Sequence, residues 1–169
     1  LTGATAIAIS SSLGVMSGTG TTTLRGQTSI ANFSLDAGRT LRNEATTNLV
    51  GSIDLNRTNA PGAGRIVNAA GALFDLRTFN HGIGATNQGG ADNGLDAFVE
   101  NAGIWRKSTL GNNYSIGVSF NNLASGVIDI QTGGLTLSGG GSHAGATTLA
   151  ADASLVLSGG NHVIHDGAS

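Results

Sequence analysis

Leu135-Thr-Leu-Ser-Gly-Gly140 returns as Leu155-Val-Leu-Ser-Gly-Gly160, 20 residues further along the chain. A hexapeptide recurring at a fixed phase points to a repeat architecture, in which each unit buries its apolar face only by stacking on the next. Upstream, Phe33-Ser34-Leu35, Ile53-Asp54-Leu55 and Phe74-Asp75-Leu76 share an apolar-polar-Leu form at offsets of 20 and 21 residues. Ile128-Asp129-Ile130 is a further member. A second series starts on Asn and runs into small residues: Asn43, Asn68-Ala-Ala-Gly71, Asn101-Ala-Gly103 and Asn122-Leu-Ala-Ser-Gly126. Its offsets are 25, 33 and 21 residues, a period near 20 stretched by insertions.

Within each unit the apolar residues alternate. Ala4-Thr-Ala-Ile-Ala-Ile9, Val127-Ile-Asp-Ile130 and Leu135-Thr-Leu137 have the period of a half-buried strand. Gly, Asn and Ser interrupt these runs every few residues, and Gly and Asn suit corners that need positive φ. No stretch has a helical apolar stripe. The expected fold is all-β: a parallel β-helix (β-solenoid), right-handed, with about eight coils of roughly 20 residues. Leu135, Leu137, Leu155 and Leu157 are then interior rows. Asn43, Asn68, Asn101 and Asn122 form a corner row able to bond side chain to side chain between coils. The competing reading is an antiparallel β-sandwich, whose strands recur every 8–12 residues. Residues 1–169 read as a single solenoid segment. Residues 77–97 lose the alternation, and the five Gly between Arg77 and Asp96 suggest a loop looping out of one coil. The opening at Leu1, with neither an initiator Met nor a signal segment, reads as a piece of a longer chain.

Composition agrees. Gly, Ala, Thr, Ser and Asn make up well over half of the chain, while charged residues are 11% and aromatics 4%. The strong helix formers Glu, Lys, Gln, Met and Arg are scarce, which argues against a helical bundle. Recurrent Val, Ile and Leu argue against disorder. A net charge of −2 offers no basic face for nucleic acid. No apolar run approaches the roughly 18 residues that cross a bilayer, so membrane insertion is not expected. The absence of Cys removes disulfides and thiolate chemistry, and is compatible with export.

The candidate sites are sparse. Asp92, Asn93 and Asp96 are oxygen donors on a Gly-rich loop and form a weak calcium candidate; no other cofactor is expected. His162 and His165, on one strand, would point to opposite sides, against a shared metal site; His81 and His143 complete the set. Asp54 and Asp75 are read at equivalent phases of neighbouring units, with Asp129 in the same triplet, as an outward carboxylate row or an acid–base pair. Trp105, Tyr114 and His81 are the candidates for a sugar-contacting loop, although for Trp105 and Tyr114 a packing anchor where a coil widens is the favoured reading. Thr21-Thr-Thr23 is similar to one row of a flat ice-binding threonine array, although it does not recur from coil to coil. There is no nucleophile elbow and no phosphate loop. No enzyme is expected.

Val99-Glu-Asn-Ala-Gly-Ile-Trp-Arg-Lys-Ser108, Val118 to Ile130, Gly133 to Gly140 and Ala150 to Gly160 resemble repeat units of very large bacterial surface proteins, the autotransporter passengers and filamentous-haemagglutinin-type adhesins. The resemblance covers about residues 65–165. It implies secretion to the bacterial cell surface, a parallel β-helix and a structural or adhesive role, and it supplies no catalytic residue. The expected function is an extracellular stalk, surface-layer or filament-forming module. Its expected partners are further copies or neighbouring modules joined head to tail, and host or surface glycans. The alternatives are a carbohydrate-binding or carbohydrate-cleaving β-helix and an ice-binding solenoid.

Overall fold

The computed structural model describes residues 14–169; the apolar run Ala4–Ile9 lies outside them. The first turn is β1 (Gly14–Met16), β2 (Thr21–Leu24) and β3 (Thr28–Ile30), and the second is β4 (Phe33–Leu35), β5 (Thr40–Asn43) and β6 (Thr46–Leu49). Then come β7 (Ile53–Asp54), β8 (Arg65–Asn68) and β9 (Leu73–Leu76), followed by β10 (Gly82–Gly84), β11 (Phe98–Asn101) and β12 (Ile104–Lys107). The fifth turn is β13 (Asn113–Ile116), β14 (Ser119–Asn122) and β15 (Val127–Ile130). The sixth is β16 (Gly134–Leu137), β17 (Gly141–His143) and β18 (Ala146–Leu149), and β19 (Ser154–Leu157) and β20 (His162–Ile164) open the last.

Every third strand pairs in parallel, giving sheets of 7, 7 and 6 strands. The chain is therefore an all-β solenoid of about seven turns, and no helix occurs among the described residues. The first sheet runs β1-β4-β7-β10-β13-β16-β19, the second β2-β5-β8-β11-β14-β17-β20, and the third β3 to β18.

Alternation sets which side chains fill the interior. In the first sheet Leu135 and Leu137 pair with Leu155 and Leu157 in the expected register. In the third, Phe74, Trp105 and Ile128 form one inward column, and Leu76, Lys107 and Ile130 the next. Phe74 and Trp105 stack with ring centroids 4.4 Å apart, and Phe120 of the second sheet meets Trp105 edge-on at 5.3 Å. Burial of such rings carries much of the core energy in a chain with few aromatics.

Two features differ from the sequence reading. Phe74-Asp75-Leu76 lies in the third sheet, whereas Phe33–Leu35 and Ile53–Asp54 pair in the first. Asp54 and Asp75 are therefore not equivalent; Asp75 instead shares a column with Arg106 and Asp129. The same short apolar-polar-apolar pattern suits any of the three sheets, so the triplet alone does not identify the side of the coil. The irregular segment 77–97 contains β10, so the part that leaves the coil is 85–97. A second interruption, 55–64, sits at the same corner one turn earlier.

Candidate functional site: the asparagine column and the open last turn

Asn43, Asn68, Asn101 and Asn122 are stacked in register on β5, β8, β11 and β14. The Nδ2 of Asn43, Asn68 and Asn101 each donates to the next Oδ1, and all three bonds are 2.8 Å long. The second amide hydrogen goes to backbone carbonyls across the corner, such as Leu73 O at 2.9 Å from Asn43 and Ile104 O at 3.0 Å from Asn68. All four side chains are buried, so this pairing meets the need of interior amides for partners. The small residues after each Asn follow from the packing. A methyl on Gly126 would land on Asn122 Oδ1 and the Asn101 carbonyl.

Past Asn122 the column changes. His143 takes the next position and Ile164 the last. His143 Nε2 lies 3.0 Å from His162 Nδ1, and His165 Nε2 lies 2.7 Å from Ser142 Oγ. The neighbouring histidines and burial hold the His143 pKa below the ordinary 6.5, burial being the larger cause.

The remaining candidates fall elsewhere. Trp105 and Tyr114 are fully buried on β12 and β13, so neither belongs to an exposed sugar-contacting loop. The Tyr114 hydroxyl donates to the Gly51 carbonyl at 2.9 Å, and burial raises its pKa well above 10. His81 is exposed, its Nδ1 2.7 Å from the Phe79 carbonyl. Asp92, Asn93 and Asp96 do not converge. Asn93 Oδ1 accepts from the Leu95 amide at 3.0 Å, Asp96 accepts from the Ala63 amide at 3.2 Å, and the Asp92 carbonyl accepts from Asn56 at 3.3 Å. No group of three or more His, Asp or Glu is placed to hold a metal among the described residues. Asp54 accepts from the Asn56 and Thr86 amides at 3.0 and 3.1 Å, while Asp129 pairs with Arg106 at 2.8 Å. Thr21 stacks on Thr40, but Thr22 and Thr23 stack on Leu41 and Arg42, so no flat threonine array develops.

Two features escaped sequence reasoning. The loops 55–64 and 85–97 are laminated together: Asn56 Nδ2 donates to the Thr86 carbonyl at 2.9 Å, and Gln88 Nε2 to the Asn56 and Arg57 carbonyls at 3.0 and 2.8 Å. The only signals were Pro61-Gly62 and the 25-residue Asn spacing. Lys107, the single lysine, lies within the Leu76–Ile130 column and is buried, its Nζ donating to the Thr109 carbonyl at 2.5 Å. Burial pulls its pKa down, and Asp75 opposes that. Alternation in Ile104-Trp-Arg-Lys107 allows either parity, and the charge of Lys107 suggests the surface.

The final strand of each sheet exposes what the strands below it bury. Leu149, Leu157 and Ile164 are 51%, 39% and 59% exposed, although they continue columns whose preceding members are buried. A cleft of about 200 Å³ opens there between Ile128, Thr147, Leu149, Leu155, Leu157 and Ile164. The final residues fold back against it: Ala168 and Ser169 line the cleft, and the Thr147 amide donates to the Ser169 carbonyl. Among the described residues β19 and β20 end their sheets, and one edge of each has no strand partner there. No protein-family model matches the chain, and neither a curated protein nor a solved structure matches it.

Proposed function

We propose that the chain is a structural segment of an extracellular β-solenoid, of stalk or filament type, which extends when a coil from a second copy seats on its last turn. One observation carries this reading: the apolar columns of the interior run out onto the surface at Leu149, Leu157 and Ile164. Three parallel sheets ending beside an apolar cleft suit a further coil of the same kind, which would pair the free strand edges and cover the cleft together. The contact is head to tail and does not close, so its product is a fibre. Low charge and the lack of Cys are compatible with an exported rod.

Sedimentation and electron microscopy over rising concentration test this. Wild-type chain is expected to form rods whose mass grows with concentration. Ile164→Asp, at a position 59% exposed, is expected to keep the strand spectrum and stay monomeric. A wild-type chain that remains monomeric at the highest concentration reached overturns the proposal, as does Ile164→Asp assembling like wild type.

A further inference from the structure

We propose that the His143–His162 pair is an acid-released latch on the last turn, so that pH controls whether the terminal face is held in the form that receives another coil. The second half of this statement rests on the end-to-end reading above; the latch itself does not.

The geometry defines the latch. The facing nitrogens are 3.0 Å apart while the ring centroids are 5.3 Å apart, with only 20° between the planes. The rings therefore meet edge to edge, and the line between the nitrogens holds one proton. One imidazole donates and the other must keep a lone pair. Protonating both rings puts two N–H donors and two positive charges against each other. The bond is then lost, and His143 retains a charge in a site only 6% exposed.

The surroundings offer no opposite charge; among the described residues the only further polar partner of the pair is the Ser158 carbonyl, 3.4 Å from His162 Nε2. β14 presents the neutral Asn122 below His143, and across the interior stand Thr147 and Leu149. Beyond β20 the nearest titratable ring is His165, bonded to Ser142 and adding positive charge when protonated. No carboxylate forms an ion pair with any of these histidines among the described residues, although Asp166 follows His165 in the chain. The pair also sits where release matters. Among the described residues β20 pairs with a strand on one side only, and His143–His162 is a side-chain bond joining it to β17.

The direction in pH follows. His143 binds a proton less readily in the closed turn than in the opened one, whose ordinary value is 6.5. The latch is complete above that value and weakens as the pH falls below it.

Hydrogen-exchange protection of the wild-type chain, measured dilute at about pH 7.5 and about pH 5, reads the latch without assembly. Protection of β19 and β20 is expected to fall roughly tenfold or more, with β11 to β15 unchanged. His162→Gln, whose amide can keep a neutral bond to His143, is expected to lose most of this pH response. Equal protection of β19–β20 at both pH values overturns the proposal, and so does His162→Gln loosening in acid as wild type does. Should His162→Gln open the last turn at both pH values, titration of the His143 ring by NMR decides: protonation coincident with loss of β20 protection supports the latch, and protonation without it overturns it. Sedimentation at the same two pH values reads the joint separately. Absence of rods at both removes the end-to-end reading and leaves the latch to the exchange result.

Discussion

Leu137 and Leu157 are the same residue in the same column, one turn apart, yet the first is fully buried and the second is 39% exposed. The same contrast separates Ile130 from Leu149 on the third sheet. In a solenoid, burial is supplied by the coil above as much as by the residue's own coil. Sequence phase assigns the column, and position along the axis decides how much burial the column confers.

The sharpest way to break this comparison is a charge in each turn. Leu137→Asp is expected to cost several kcal/mol and to unfold much of the rod, because it buries an unpaired carboxylate between stacked coils. Leu157→Asp is expected to cost about 1 kcal/mol or less, since the carboxylate reaches water. Denaturant unfolding followed by circular dichroism checks both, and equal costs would refute the distinction between the turns.

Next in size is the asparagine column. Asn101→Ala removes the acceptor of Asn68 and the donor to Asn122, leaving buried partners unpaired. A loss of about 2–4 kcal/mol is expected in the same assay. Deleting residues 85–93 comes third. Viewed as a slack loop it would be neutral, but it strips the buried Asn56 amide of its bonds to Thr86 and Asp92. The expected cost is about 1–3 kcal/mol, with hydrogen exchange rising over 55–64.

The alkaline limb is milder and concerns the interior. The folded pKa of Tyr114 is raised above its ordinary 10.0, so its contribution is complete below pH 10 and falls as the pH rises beyond. Tyr114→Phe is expected to flatten that fall in a stability-versus-pH curve. The smallest effect belongs to the surface. Glu44 accepts from Arg42 and Arg25 at 2.8 and 3.0 Å in water, and these guanidinium groups hold its carboxyl below the usual range. Glu44→Gln is expected to leave the melting temperature unchanged within error, because exposed ion pairs contribute little.

The fold was legible because stacking repeats residue types at one phase, as in Leu135 over Leu155 and Asn101 over Asn122. The side of the coil was less legible. Ile53-Asp-Leu and Phe74-Asp-Leu carry the same local pattern, and only the corner lengths between them separate the two sheets. Trp105 and Lys107 required the register: in Ile104-Trp-Arg-Lys107 alternation allows either parity, and the positive charge of Lys107 pointed outward. The exposed last turn was not legible in the columns, since Leu157 reads as core by every local rule. Its exposure reflects the lack of a further coil over it among the described residues.

The four stacked amides also give the rod a direction. Every Nδ2 donates toward the higher-numbered neighbour, so the side-chain dipoles from Asn43 to Asn122 point the same way along the axis and polarise one another. Turning one amide over would set oxygen against oxygen on one side and hydrogen against hydrogen on the other. The column therefore reverses as a whole or not at all, a one-dimensional ordered domain with a donor end and an acceptor end.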